Sequence, residues 1–460
     1  MKKLLIISLA AMAMTGAKAE LLEPSVALQR ALDEIPAGTA RRSMRAQQFN
    51  QLKMVDLNSA EAELYVFGAP SGLMVVSAES ETPALLGYSE NYVEGSELPP
   101  SLVCMLNLYA KEIRALRAGD VIPATSAGSR ADFSPIEPIC KTTWNQDAPY
   151  NNSAPTMNGQ RTYTGCVATA MAQVLKTYEH PDKCTGGYYS YKWQNGGKSL
   201  SMNFDNVTLK WDQMLDSYSG SSTSVQRLAV AGLMQAVGYA AQMNYGTEAS
   251  GTQSLYCLAG VIRHFDYDYS AQFLMRDWFS LGDWQQKVYG ELAAGRPVYY
   301  DGQNLKDQVG HAFVVDGYRS DGFFHLNWGW GGLLDGYFLL TALNPDGQQG
   351  IGGSGGGYSD GCGAVFNLTP GCTSKEEDAP LVLAIYGGDV VFSPTQSRLG
   401  RTETITFTND GLLINNMPFE ISDVYLGLKM TSAAGEVYYG SFSGPIDNLQ
   451  TFYGYRQLSL

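Results

Sequence analysis

Val167, Ala170, Met171, Val174, Leu175 and Tyr178 recur at i, i+3, i+4, i+7, i+8 and i+11, which is one buried stripe of an α-helix. A stripe of this kind has to be covered by other elements, and it fixes where its neighbours stand. Cys166 lies just before it, in the first turn. There the unpaired N–H groups and the positive end of the helix dipole favour a thiolate and can hold an oxyanion. A free cysteine is more often a small buried hydrophobe, so the helix alone leaves both readings open.

A nucleophilic thiol needs a base, and the chain has only 4 histidines. His180 precedes Pro181 at the end of the helix, where a cationic side chain beside the last carbonyls is the simpler explanation. His264 follows Arg263 in a helical stretch and reads as surface or core filler. The other two lie in a β-hairpin signal: Gly310-His-Ala-Phe-Val-Val-Asp-Gly-Tyr318, the turn Arg319-Ser-Asp-Gly322, then Phe323-Phe-His-Leu-Asn-Trp328. A turn centred near Arg319 makes His311 and Asn327 symmetric about it and places them on one face. An Asn amide beside an imidazole fixes its tautomer and orientation without adding charge. Parity puts His325 on that face too, where a packed strand residue is the simpler reading. The interval from Cys166 to His311 falls inside the roughly 130–150 residues that separate Cys and His in papain-like enzymes. The local papain signature around the Cys is absent.

At 460 residues the chain exceeds one ordinary core, so two or three domains are expected. A 45% hydrophobic content supports packed domains. The net charge of -14, without a Lys/Arg cluster, argues against nucleic acid as a partner. Lys2 and Lys3, the apolar run Leu4–Met14 and the small-x-small Ala17-Lys-Ala19 read as a signal peptide over residues 1–19. That run is too short to span a bilayer, which takes ~20 apolar residues, so no transmembrane anchor is expected. The expected location is outside the cell, or the periplasm or surface of a bacterium. Seven cysteines in an exported chain imply at least one free thiol; Cys362 with Cys372 is one conceivable pair among the rest.

Residues 20–131 read as a small α+β unit. A helix is expected at Val26–Ile35 capped by Ser25, with strands at Glu63–Phe67 and Gly72–Ser77 and helical spacing from Leu102 to Leu116. Ala118–Ser134 has the Ala, Gly, Ser and Pro content of an exposed joint, where proteolytic nicking concentrates. Residues 132–372 form the large central domain. Residues 375–460 show short strands at Leu381–Tyr386, Asp389–Phe392, Glu403–Thr408, Val424–Met430 and Glu436–Phe442, at the spacing of a sandwich that is somewhat short.

Five segments together resemble the streptopain-like cysteine peptidases: Trp144-Asn-Gln-Asp-Ala-Pro-Tyr-Asn151, Thr164-Gly-Cys-Val-Ala-Thr-Ala-Met-Ala-Gln173, Pro297-Val-Tyr-Tyr300, Gly310-His-Ala-Phe-Val-Val-Asp-Gly317 and Asn327-Trp-Gly-Trp-Gly-Gly332. The likeness extends with gaps from about residue 53 to 370. It implies a papain-like catalytic domain behind an inhibitory propeptide; with the all-β sandwich-like region that the strand spacing predicts after it, the expected fold class is α+β. It also implies Cys166 as nucleophile, His311 as base, Gln146 as oxyanion donor, Asn327 as the residue orienting His311 and Trp328 as a shield over that pair. Gly310 would contact substrate by its backbone. The loop Tyr245–Thr252 resembles a substrate-contacting loop, which points to Ser250 and Gly251. Physically, a Gln N–H can join the Cys166 backbone N–H at the oxyanion, and an indole can keep water from a hydrogen bond. Without the resemblance, Gln146 would read as a turn residue and Trp328 as a core aromatic. The chain departs from the family between Tyr300 and His311, where it carries a couple of extra residues and Gln303–Gln308 align poorly. The Gly-rich run Gly350–Gly357 is a flexible linker by composition.

The expectation is an exported cysteine endopeptidase made as a zymogen. Its partners would be protein or peptide substrates and its own propeptide, and it would need no metal and no organic cofactor. The alternatives are an exported binding or adhesion module with an inactive protease-like domain, and an amide or acyl transferase on the same scaffold.

Overall fold

The computed structural model describes residues 20–35, 44–52, 62–70, 72–119, 133–304, 309–319, 322–343, 362–376 and 379–380, with short segments between 383 and 459. The expected signal segment, residues 120–132 of the joint, residues 305–308 and the Gly350–Gly357 run lie outside the described residues.

The N-terminal unit comprises α1 (Pro24–Glu34), β1 (Asn50–Gln51), β2 (Leu64–Ala69), β3 (Gly72–Ser77), β4 (Leu85–Ser89) and α2 (Pro100–Ala118). α1 begins at Pro24, with Glu23 as its cap residue and no side-chain cap, so Ser25 lies inside the first turn instead of capping it. Pro24 suits that place because the first helical N–H has no partner in any case. α2 ends on Gly119, whose left-handed φ of 78° lets its N–H return to Leu116 O at 3.1 Å.

The central region adds β5 (Thr156–Met157), β6 (Gln160–Arg161), α3 (Cys166–Tyr178), β7 (Tyr188–Trp193), β8 (Lys198–Asn203), α4 (Ser224–Ala240) and α5 (Ser254–His264). β9 (Gln272–Met275), α6 (Leu281–Ala293), β10 (Val298–Asn304), β11 (Val309–Arg319), β12 (Phe323–Asn327), β13 (Gly336–Phe338) and β14 (Gly363–Phe366) complete it. Thr223 and Gln226 close a reciprocal capping box at the start of α4.

One antiparallel sheet runs through both units in the order β1-β2-β3-β4-β13-β12-β11-β10-β14-β9. The junction is the β4–β13 pairing, Tyr88 opposite Tyr337 and Gly87 opposite Phe338. Gly87 is required there, since a methyl group on it would lie 2.1 Å from the Phe338 ring. Strand alternation gives the sheet two apolar faces. Tyr300, Phe313, Val315 and Trp328 join α2 and the N-terminal strands in one core. Tyr299, Ala312 and Val314 join α3, α4 and α5 in the other.

α2 is tied to the central region by charge as well as by packing. The buried Glu112 carboxylate pairs with Arg276 and accepts from Thr341 Oγ1 at 3.1 Å and the Ala342 N–H at 2.6 Å. Beyond residue 380, β15 (Leu383–Tyr386), β16 (Val390–Ser393), β17 (Thr406–Asn415) and β20 (Gly454–Ser459) form a four-stranded sheet around β17. β18 (Lys429–Thr431) and β19 (Val437–Tyr439) form a separate hairpin. β17 runs on to Asn415, past the expected end at Thr408.

Glu112→Ala leaves Arg276 buried without its carboxylate, and removing one member of such a pair costs ~3–5 kcal/mol. The expected outcome is a clear fall in the urea midpoint of the full-length chain. An unchanged midpoint would show that the pair contributes nothing to docking α2.

Candidate active site

α3 begins where the sequence requires it. Gly165 takes φ 88°, and a methyl group there would lie 2.9 Å from Met243 Sδ and from Ser250 O. Only glycine fits that place, and it turns the chain so that Cys166 opens the helix. The half-buried thiol faces the backbone of β11, with Sγ 4.0 Å from Gly310 O. A cleft of about 560 Å³ is lined by Cys166, Gly251, Asp301, Gly310, His311 and Ala312, among others. Of the residues expected at the site, Cys166, His311, Gly310 and Gly251 border this one cleft.

Gln146 is held close by. Its carbonyl accepts the Thr164 N–H at 3.1 Å, two residues before Cys166. Its half-exposed side-chain amide makes no hydrogen bond among the described residues. Ser250 is placed differently from expectation. Its Oγ donates to Tyr163 O at 2.8 Å and accepts the Gly246 N–H at 2.9 Å, so the hydroxyl staples the loop beside Cys166 and does not line the cleft.

The symmetric hairpin is corrected by the register. Arg319 is still paired, with Phe323, so the turn lies beyond it, and a bulge shifts the ladder between Val315 and Gly317. Asn327 consequently stands opposite Val314, while His311 pairs with Gly302 on β10. The Asn327 amide oxygen accepts from Gln173 Nε2 at 3.0 Å and from the Gly329 N–H at 3.0 Å, and its Nδ2 donates to Thr142 O at 2.7 Å. No hydrogen bond joins it to His311 among the described residues. Trp328 has no such bond to shield: its indole N–H donates to Leu334 O at 2.8 Å, and its ring packs against Phe313 and Phe338. Gln173, fully buried in α3, also accepts from Thr142 Oγ1 and the Trp144 N–H, each at 3.1 Å. It was missed as an organising residue, although a polar side chain inside a buried helix marks it.

Alternation along β11 sends the His311 side chain to the Phe313 face, while Ala312 shares the face of Cys166. Burial lowers the His311 pKa to about 4. Burial also raises the Cys166 thiol, a rise that the Ala312, Val167 and Cys166 backbone N–H groups only partly offset. At neutral pH both groups are therefore uncharged, and no hydrogen bond joins them among the described residues. Asp301, a second group that sequence reasoning missed, is a cleft carboxyl raised to about 7 by burial, with Ser254 and the Gly363 N–H opposing the rise. The other histidines are occupied. His180 Nε2 is 3.0 Å from Asp266 Oδ2, and His264 stacks on Phe204 at 3.8 Å. His325 Nδ1 is 2.6 Å from Asp316 Oδ1; there burial favours the neutral ring, but Asp316 outweighs it and raises the pKa.

A cysteine at the start of a buried helix, facing a histidine-bearing strand across a cleft, defines a cysteine peptidase. Comparison with known proteins gives the family. The model of the Peptidase C10 family matches residues 144–338. Streptopain of Streptococcus pyogenes is 31% identical over 332 residues, covering 67% of this chain and 81% of streptopain. The thiol protease/hemagglutinin PrtT of Porphyromonas gingivalis is 33% identical over 344 residues, covering 71% of this chain but only 39% of PrtT. A fragment of Prevotella intermedia prointerpain A, solved as a cysteine-to-alanine mutant, superposes with a TM-score of 0.57 at 32% identity, covering 69% of this chain and 98% of the fragment. The chain belongs to the peptidase C10 family, with a papain-like protease fold that carries a prodomain.

Asn327→Ala should lower the melting temperature, because it leaves buried Gln173 Nε2 without an acceptor at ~1–3 kcal/mol. Differential scanning calorimetry reads this directly. A mutant with unchanged stability but lost peptidase activity would instead restore Asn327 to a direct role beside His311.

Proposed function

We propose that the protein is an exported cysteine endopeptidase made as a latent precursor. Cys166 is its nucleophile and His311 its base, and residues 20–131 are its inhibitory propeptide. The observation that carries the reading is the shared cleft, where the thiol at the start of α3 faces the β11 segment bearing Gly310 and His311. In the active form the imidazole takes the thiol proton and the thiolate attacks the scissile carbonyl. The Cys166 N–H and the Gln146 amide hold the oxyanion. The imidazolium then protonates the departing amine as the C–N bond breaks, and water hydrolyses the thioester. Gly310 and Gly251 offer backbone groups to an extended substrate. Asn327 supports the wall through Gln173, and Trp328 backs the strand that carries His311.

Latency follows from the same geometry. α2 packs across β10 and β11 on the face toward which His311 leaves its strand. While α2 stays, the imidazole is kept in apolar surroundings and the thiol has no base. Cleavage within residues 118–134 lets the propeptide leave and His311 turn to the cleft. The β-rich residues 375–460 fit a sandwich-like accessory region. Export is supported by residues 1–19, and among the described residues no helix is long and apolar enough to cross a membrane.

Cys166→Ala and His311→Ala should each reduce turnover of a denatured-protein substrate by ~10⁴-fold or more without loss of fold. Retained activity in pure Cys166→Ala protein would sink the mechanism. A second test reads the thiol itself. With its pKa raised, Cys166 in intact precursor should alkylate slowly at pH 7 and faster as pH climbs. Each unit by which processing lowers that pKa raises the thiolate fraction about tenfold at pH 7. Equal alkylation rates before and after processing would contradict latency by uncoupling of the pair.

A further inference from the structure

We propose that Cys104 of α2 and Cys362, just before β14, form a disulfide that ties the propeptide to the catalytic domain, so that activation needs reduction as well as cleavage. The cross-link itself stands on geometry; its effect on activity rests on the latency reading above.

The two thiols meet over one glycine. A methyl group placed on Gly302 of β10 would lie 3.4 Å from Cys104 Sγ and 3.4 Å from Cys362 Sγ, so the sulfurs are separated by no more than twice that distance. Gly302 has no side chain to stand between them. Cys104 Sγ points down onto this strand, 3.6 Å from Gly302 O. Cys362 comes up beside it, because the β10–β14 pairing sets Asp301 opposite Gly363 and the next step of that ladder brings Cys362 next to Gly302. Both sides are backed by fixed groups. The Cys362 carbonyl accepts the Arg276 N–H at 2.9 Å. Cys104, Leu108 and Glu112 follow one stripe of α2 at i, i+4 and i+8. The Glu112–Arg276 ion pair therefore sets the rotation of the helix that aims Cys104. The pairing considered from sequence, Cys362 with Cys372, is not formed. Cys372 is exposed, with its thiol 3.3 Å from Ser374 O.

Closing the bond removes two electrons and two protons from the two thiols. An external disulfide of the export compartment, on a small molecule or an oxidoreductase, supplies the oxidising equivalent. One thiolate attacks it and releases one external thiol. The second thiolate then attacks the mixed disulfide and releases the other. Excess thiol reverses both steps. Cys104 precedes the 118–134 joint and Cys362 follows it, so cutting the joint cannot separate the halves while the bond stands. The tethered propeptide keeps a high effective concentration over the cleft. The reductant that frees it is also what keeps the Cys166 thiol competent, so one condition governs both.

The test uses full-length Cys166→Ala precursor, which cannot process itself, equilibrated with oxidised and reduced glutathione. Non-reducing peptide mapping should find Cys104 linked to Cys362 in the oxidised samples, and no such peptide in Cys104→Ser or Cys362→Ser. After limited trypsin cleavage within the joint, the propeptide fragment should stay attached on a non-reducing denaturing gel and separate with dithiothreitol. The Cys104→Ser protein should release it without reductant. If Cys104 and Cys362 both remain alkylatable at every glutathione ratio in folded precursor, or link to other cysteines, the proposal is wrong. Wild-type chain, cut and then reduced, reports on the other reading. A cross-link that forms and opens, with no gain in peptidase activity on release, would leave the bond standing and overturn latency.

Discussion

Gln173 carries an amide that the fold cannot leave unpaired, because its place two turns into α3 is fully buried. Its oxygen takes the Thr142 hydroxyl and the Trp144 N–H, and its nitrogen gives to Asn327. Two stretches of chain far apart in sequence are thereby locked to the helix that begins with Cys166. The segment before Gln146, α3 and the end of β12 are thus joined through one side-chain amide. An unsatisfied buried amide costs on the order of 1–3 kcal/mol, so the arrangement is self-enforcing. Placement of the thiol against β11 depends on it.

The second constraint is the continuous sheet. The N-terminal unit does not sit on the catalytic region as a separate bead; its β4 extends the same ladder through β13, and its α2 closes one face of that sheet. An inhibitory segment that completes a core is held by apolar burial, and the Glu112–Arg276 pair adds registry more than strength. This explains why the pair at the cleft is electrically silent. Burial under α2 favours the neutral imidazole, and the enclosed thiol favours its proton. Under the proposed latency, neither group charges the other until the packing opens.

The sequence made much of this legible. The stripe from Val167 to Tyr178 located α3, and the hairpin signal located β11 and β12. Helical and strand periodicity are local properties, repeated often enough in these segments to override noise. The symmetric placement of His311 and Asn327 about the turn was not legible, for an identifiable reason. Facing residues across a hairpin depend on one integer, the register, and the bulge between Val315 and Gly317 changed it. Ser250 was drawn to the cleft by its loop, but its hydroxyl was needed by Tyr163 O and the Gly246 N–H.

What the sequence alone determined is the chemistry on offer: a thiol at a helix start, a histidine on a strand, and the apolar periodicities that build the elements carrying them. Each is a matter of neighbours within a few residues, where backbone geometry leaves little choice. Tertiary structure decided which of these groups meet. Arg276 found Glu112 across the sheet, Cys104 came over Gly302 beside Cys362, and His311 left its strand on the face away from the thiol. Such pairings are set by strand order, register and helix rotation. Those are properties of how distant segments bury one another, and no single segment carries them.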